Sequence, residues 1–229
     1  MRVLELFCGT KSVGRAFAAH GSEVTSLDNV ESLSPDICCD ILTWDYIVFP
    51  GGHFDCVWAS PRCTQYSIAR PKAKTPRDLE GADALVQRAL DIIAYFKPSS
   101  WFMENPASGL LTTRRVIHAI PNVTVSYCKY GHPYQKHTQL WGTVLHHNWR
   151  PKCRFDCAAV LPDGTHGEWA QKASRGGTGF STLELYAMPE GLCLDIVQAS
   201  LFPPLRLSWG PIVCPDAKRT CDRHPRLAN

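Results

Sequence analysis

The sequence has no apolar run near the roughly 20 residues that a helix needs to cross a bilayer, so no membrane span is expected. It has no internal repeat and no low-complexity tract, which argues against a solenoid or a biased arm. Charge is scarce: 20% of residues are charged and the net charge is only +3. That excess permits an acidic partner without demonstrating one. An acid at Glu5 stands too early for a signal peptide, and an intracellular protein is expected. With 45% hydrophobic residues the chain is neither a disordered tract nor a coiled coil. Its 229 residues suit one α/β domain with a substantial core. Eleven cysteines are present, an odd and scattered set. Without a secretory leader they read as reduced thiols rather than a disulfide scaffold.

The first half alternates short apolar runs with helical patterns, which predicts an α/β fold. Val3–Phe7 reads as a buried strand, followed by a glycine-bracketed turn and a short helix that stops at Gly21. Glu23–Asp28 and Phe54–Ala59 read as further strands. Thr75-Pro76-Arg77-Asp78 has the form of a cap with proline at the first helical position. The helix it opens carries Leu79, Ala82, Leu85, Val86, Ala89, Ile93 and Phe96 at helical spacing and ends at Lys97-Pro98. Trp101–Glu104 is the next strand, and Val123–Lys129 and Thr138–Leu145 look like two more. Residues 146–180 look irregular. Ser181-Thr182-Leu183-Glu184 is a capping-box pattern, and Pro189 can open a helix carrying Leu192, Ile196 and Leu201.

Three acids or thiols stand at strand ends, where α/β sheets bind ligands. The first strand runs into Phe7-Cys8-Gly9-Thr10-Lys11-Ser12-Val13-Gly14. This is neither G-x-G-x-x-G nor a phosphate-binding P-loop, yet glycine lets backbone approach a ligand. Asp28 ends the second strand, where an acid can hold ribose hydroxyls; Asp40 is a possible further contact. Cys63, in Ser60-Pro61-Arg62-Cys63, follows a strand directly. Its neighbour Arg62 and any helix N-terminus after it would favour the thiolate. Glu104, in Glu104-Asn105-Pro106, ends another strand and should face the same crevice. A nucleophilic thiol beside a carboxylic acid is a chemical constellation, although most free cysteines are simply packing residues.

Taken in order, these residues resemble the cytosine-5 DNA methyltransferase family over about residues 2–198. Phe7-Cys8-Gly9 with Gly14 is similar to its first motif, usually F-x-G-x-G-G, with Thr10-Lys11-Ser12-Val13 in place of the glycine-rich stretch. Asp28 resembles the acid of its second motif and Asp40-Ile41 the third, an acid facing adenine. Ser60-Pro61-Arg62-Cys63 resembles its P-P-C-Q nucleophile motif, with Gln65 one place late. Glu104-Asn105-Pro106 resembles its E-N-V motif. Tyr130–Lys136 resembles Y-G-x-P-Q-x-R, with Lys136 and Thr138 where two arginines are usual. Glu184–Ile196 is similar to the last motif, a helix that returns to the cofactor.

The resemblance implies a Rossmann-like methyltransferase fold: a mixed, mostly parallel sheet with helices on both faces. Residues 1–209 would form one domain, 143–180 a short irregular insertion in place of a target-recognition domain, and 210–229 a surface tail. S-adenosyl-L-methionine would lie against Phe7, Cys8, Gly9, Thr10, Ser12, Val13, Gly14, Asp28, Asn29, Asp40, Ile41, Ser60, Pro61 and Thr182. Cys63 would add to cytosine carbon 6, and Glu104 would hold or protonate ring N3. Lys136 and Arg62 would hold a flanking phosphate or the base. The substrate would be DNA, either duplex with a flipped cytosine or single-stranded. RNA, transfer RNA included, is the alternative substrate; a catalytically silent binding module is the alternative function. A separate partner would then supply the recognition surface.

One cluster lies outside that pattern: His146, His147, Cys153, Cys157 and His166. Cys153 and Cys157 have a spacing that zinc sites use, with His166 as a further ligand. Cys214, Cys221 and His224 offer more donors in the tail, whose basic residues Lys218, Arg219, Arg223 and Arg226 offer phosphate contacts.

Overall fold

The computed structural model describes residues 1–68, 74–167 and 180–202. Among the described residues seven strands form one sheet: β1 (Arg2–Leu6), β2 (Glu23–Asp28), β3 (Ile37–Cys38), β4 (Cys56–Ala59), β5 (Ser100–Pro106), β6 (Asn122–Ser126) and β7 (His137–Gly142). The spatial order is β3-β2-β1-β4-β5-β7-β6. β1 to β5 pair in parallel, whereas β7 runs antiparallel to both β5 and β6. This is a Rossmann-like sheet with one reversed strand.

The helices are α1 (Ser12–Ala19), α2 (Leu79–Phe96), α3 (Thr182–Tyr186) and α4 (Glu190–Leu201). Successive strand residues point to opposite faces, and the core divides accordingly. Leu4, Leu6, Val57, Ala59 and Met103 pack with Val86, Ala89, Leu90 and Ile93 of α2. Val3, Cys56, Trp58, Phe102 and Leu140 pack on the other face with Val13 and Phe17 of α1 and Leu192 and Ile196 of α4. Helices therefore cover both faces, as expected.

Several local expectations change. The cap of α2 is Asp78, whose Oδ1 accepts the Gly81 N–H at 2.8 Å; the helix begins three residues after Pro76. Aspartate caps well because its short carboxylate reaches the free amides of the first turn. Strand β6 stops at Ser126, and Tyr127–Tyr130 wind into a 3-10 turn rather than extending to Lys129. Leu201 is exposed at the end of α4 and takes no part in the core. The capping box before α3 is present: the Ser181 N–H donates to Glu184 Oε2 at 2.6 Å, and the Glu184 N–H donates to Ser181 Oγ at 3.2 Å. Residues 143–167 contain no named helix or strand, only the isolated bridge Val160–His166. No helix among the described residues is long and apolar enough to cross a membrane. The expected tail, 210–229, lies outside the described residues.

Candidate active site

Strand order reverses between β1 and β4, so the loops after them diverge and leave a crevice at their carboxyl ends. A cavity of about 290 Å³ occupies this switch point. Phe7, Cys8, Gly9, Thr10, Ser12 and Val13 line it from the first turn, and Asp28 from the end of β2. Ser60, Pro61, Arg62 and Cys63 line it from the end of β4; Glu104 and Lys136 complete the far side.

The first turn is tightly held. Backbone φ is positive at Phe7 (57°), Gly9 (49°) and Lys11 (54°), so three alternate residues adopt the left-handed region. Gly9 adopts it freely; Phe7 and Lys11 pay a steric penalty there. Asp28 fastens the turn: Oδ2 accepts the Gly9 N–H and Oδ1 the Val30 N–H, each at 3.1 Å. Each carboxylate oxygen retains a second lone pair for a ligand hydroxyl.

Glu5 lies behind the turn and is only 1% exposed. Its Oε1 accepts the Gly14 N–H at 2.9 Å, while Oε2 has no partner among the described residues. Burial outweighs that hydrogen bond and pushes the carboxyl up to about 7. A Cβ at Gly14 would collide with Glu5 Oε2, so this glycine exists to let the acid sit there.

The thiol and the acid meet on neighbouring strands. Asn105 Nδ2 donates to the Pro61 carbonyl at 2.8 Å and ties the end of β5 to the loop that carries Cys63. The thiol sits above its ordinary range, first because it is buried and second because Glu104 is close; the Lys136 ammonium partly offsets both. This corrects the expected bias towards thiolate. No helix follows Cys63 directly, only a turn closed by Tyr66 and Ser67 N–H bonds to the Cys63 carbonyl. Arg62 reaches the other way, its NH2 donating to Asn29 Oδ1 at 2.8 Å.

Glu104 is buried and held by two hydroxyls on Oε1, from Thr138 on β7 and from Tyr127 at 3.4 Å. The Tyr127 phenol is pushed well up by burial and then by the Glu104 carboxylate, so it stays a donor. Lys136 Nζ stands over the Tyr127 ring, 4.5 Å from its centre, and donates to its hydroxyl at 3.4 Å. Cation, phenol and carboxylate thus form a relay beside Cys63.

No protein-family model matches the chain. It is, however, 31% identical over 217 residues to a frog virus 3 (isolate Goorha) protein named "Probable DNA (cytosine-5)-methyltransferase", covering 86% of this chain and 99% of that one. The chain belongs to the cytosine-5 DNA methyltransferase family. Among solved structures it is similar to a methyltransferase encoded within an E. coli prophage, at 14% identity and TM-score 0.48, covering 71% of this chain and 56% of that one. It is also similar to the S. pombe Dnmt2 methyltransferase, at 14% identity and TM-score 0.44, covering 80% and 57%. The chain spans just over half the length of these two solved structures.

In this methyltransferase, most expected cofactor residues line the crevice, but some do not. Asp40 is exposed and caps a turn, accepting the Leu42 N–H at 2.9 Å, and Ile41 is core. Neither lines the cavity. A lone apolar-acid pair at a strand end cannot say which way the chain turns next. Asn29 and Gly14 do not line the cavity either: Asn29 is exposed and bonded to Arg62, and the Gly14 N–H donates to Glu5. The Thr182 side chain is outside what is described; from that region Tyr186 and Met188 reach the cavity, and the Met188 N–H donates to Ser12 Oγ at 3.2 Å.

Sequence reading missed Glu5 and Tyr127, and it named Thr138 without giving it a role. Glu5 had one signal, a single acid in an otherwise apolar strand. Tyr127 had none and Thr138 showed only as the replacement of a usual arginine, because both meet Glu104 through the pairing of β5, β6 and β7. Gln65 faces elsewhere and accepts the Asp78 N–H with its side-chain carbonyl at 3.1 Å. The cluster also divides. Cys153, Cys157 and His166 come together, joined by Cys128. His146 is exposed, and His147 pairs with Asp195 at 3.7 Å.

Proposed function

We propose that the protein methylates carbon 5 of cytosine in DNA, using S-adenosyl-L-methionine, as a single catalytic domain with a short insertion. The observation that carries this reading is the placement of Cys63 and Glu104 at the ends of adjacent strands, in the crevice that Gly9 and Asp28 also line. The residues present fit the cofactor. Asp28 offers lone pairs for a ribose diol, and the orphaned Oε2 of Glu5 is an acceptor beside the first turn. Cys8, Thr10, Ser12 and Val13 supply the remaining wall on that side. The cofactor supplies an electrophilic methyl group on a sulfonium.

The chain's own groups prepare the base. A cytosine must leave the duplex, or be single-stranded already, to enter so enclosed a site. The Cys63 thiolate adds to carbon 6, and the ring electrons move towards N3. Glu104, steadied by Thr138 and Tyr127, holds or protonates N3 as that charge develops. Carbon 5 becomes enamine-like and accepts the methyl group. Loss of the carbon 5 proton, with any N3 proton returned to Glu104, then expels the Cys63 thiolate and restores the ring. Lys136 favours the thiolate at the moment of attack, because its ammonium is the cation acting on the thiol. Arg62, on the exposed rim, is placed for a flanking phosphate.

The test is mechanism-based trapping. Protein and S-adenosyl-L-methionine are mixed with duplex or single-stranded DNA carrying 5-fluorocytosine, whose fluorine blocks the last elimination. The expected product is a denaturant-resistant adduct bearing one methyl, absent in Cys63→Ala. Adduct on fluorocytosine RNA alone would replace DNA with RNA as the substrate. Cofactor binding without adduct on either would leave a silent binding module.

A further inference from the structure

Away from the crevice, four soft ligands converge. The sulfurs of Cys128, Cys153 and Cys157 and a ring nitrogen of His166 all lie within 4.8 Å of one another. His166 Nε2 is 3.7 Å from Cys153 Sγ and 3.2 Å from Cys157 Sγ. Tetrahedral zinc, with bonds of about 2.3 Å to sulfur and about 2.0 Å to nitrogen, sets neighbouring ligand atoms roughly 3.5–3.8 Å apart. We propose that Cys128, Cys153, Cys157 and His166 bind one structural zinc ion.

The ligands come from three separate stretches of chain. Cys128 belongs to the 3-10 turn Tyr127–Tyr130. Cys153 and Cys157 are the ends of Cys153-Arg154-Phe155-Asp156-Cys157, within the spacing that zinc loops use. Positive φ at Phe155 (63°) folds this loop so that both thiols face one point. His166 forms the isolated bridge to Val160 and brings the fourth ligand back. None of the three cysteines forms a disulfide.

The surroundings hold the ligand-bearing segments in place. The Cys153 N–H donates to Ser126 Oγ at 2.9 Å. Lys129 Nζ bridges the two segments, donating to the Asp156 carbonyl at 3.0 Å and pairing with its carboxylate at 2.7 Å. Phe155 packs on the His166 ring, 5.3 Å between centres. Three thiolates and an imidazole select zinc over hard cations, and four protein ligands leave no open position, which marks a structural rather than a catalytic site. Binding expels three protons, one from each thiol.

The ion would replace a core. Val144 and Trp149 pack in the main core, but residues 150–167 have no helix or named strand to hold them, and the donor set joins them to the turn that carries Tyr127. Tyr127 is a partner of Glu104. The metal would therefore fasten the short insertion to the segment behind the catalytic acid.

The experiment uses the full chain, purified under reducing conditions, with elemental analysis for zinc and thiol counting by alkylation mass. One zinc per chain is expected. Stripped protein reloaded with cobalt should show the strong absorption of tetrahedral cobalt with thiolate charge-transfer bands. Cys128→Ser and His166→Asn should each weaken zinc retention more than about tenfold, while Cys38→Ser, an exposed cysteine outside the cluster, should not. Folding of each variant is followed by circular dichroism. Wild-type protein that remains metal-free after reloading with zinc, with its thiols free, overturns the proposal. So does a Cys153–Cys157 disulfide in reduced preparations, or a cobalt spectrum without thiolate bands.

Discussion

Thr138 on β7 donates its hydroxyl to Glu104 on β5 across the antiparallel seam of the sheet. Thr138 is fully buried, and its single hydroxyl hydrogen is shared between Glu104 and the Asn105 carbonyl, 3.0 Å away, so it serves two strand-end residues. The family usually has an arginine at this position. A neutral hydroxyl takes that place here, and Lys136 is left as the cation beside Cys63.

Replacing Thr138 with valine keeps shape but removes the donor. A buried carboxylate that loses a partner costs about 1–3 kcal/mol. Thr138→Val is expected to lower single-turnover methylation at least about tenfold with cofactor affinity unchanged, and Thr138→Ser should recover most of it. Equal rates for the valine and serine variants would show that the hydroxyl is not used.

The two groups flanking Cys63 act on it with opposite signs. A nearby carboxylate disfavours the thiolate and an ammonium favours it. Glu104→Gln should therefore move the Cys63 titration towards lower pH, and Lys136→Met towards higher pH. Peptide-resolved alkylation rates across pH measure this without needing turnover. Shifts in the same direction would contradict the arrangement. Glu104→Gln should also slow methylation by about 10²–10⁴-fold.

Glu5 makes stability depend on pH. Its folded value of about 7 lies above the 4.5 of an unfolded glutamate, so the folded state binds the proton more tightly. The stabilisation is complete below about pH 4.5 and is lost as pH rises through about 7. Glu5→Gln stays neutral throughout and can still accept the Gly14 N–H. Between pH 5 and pH 8 the variant should gain on the wild type by up to about 3 kcal/mol in chemical denaturation. A difference that does not change with pH would refute the raised value.

Lys11 holds a left-handed conformation that glycine prefers, at the position where the family motif has glycine. Its Nζ compensates by donating to the Ser34 carbonyl at 2.5 Å. Lys11→Ala loses that bond and keeps the strain; Lys11→Gly loses the bond and the strain. The glycine variant should be the more stable of the two by about 1 kcal/mol in thermal unfolding. The reverse order would mean that the turn changes conformation when the bond is lost.

Much of this protein was legible along the chain. The apolar strand runs, the helical spacing of α2 and the capping box before α3 are local patterns, set by side chains a few residues apart. The order of short motifs placed Cys63, Glu104, Gly9 and Asp28 at strand ends, and parallel pairing alone brings such ends together. What tertiary structure decided depends on partners remote in sequence. The reversal of β7 delivers Thr138 to Glu104, and the turn after β6 delivers Tyr127 to Glu104 and Cys128 to the thiols of Cys153 and Cys157. Burial, which no single residue announces, raises the Cys63 thiol that a neighbouring arginine suggested would be lowered. Residue type and spacing carry the chemistry that is available; pairing register and desolvation determine which groups meet and how strongly each holds its proton.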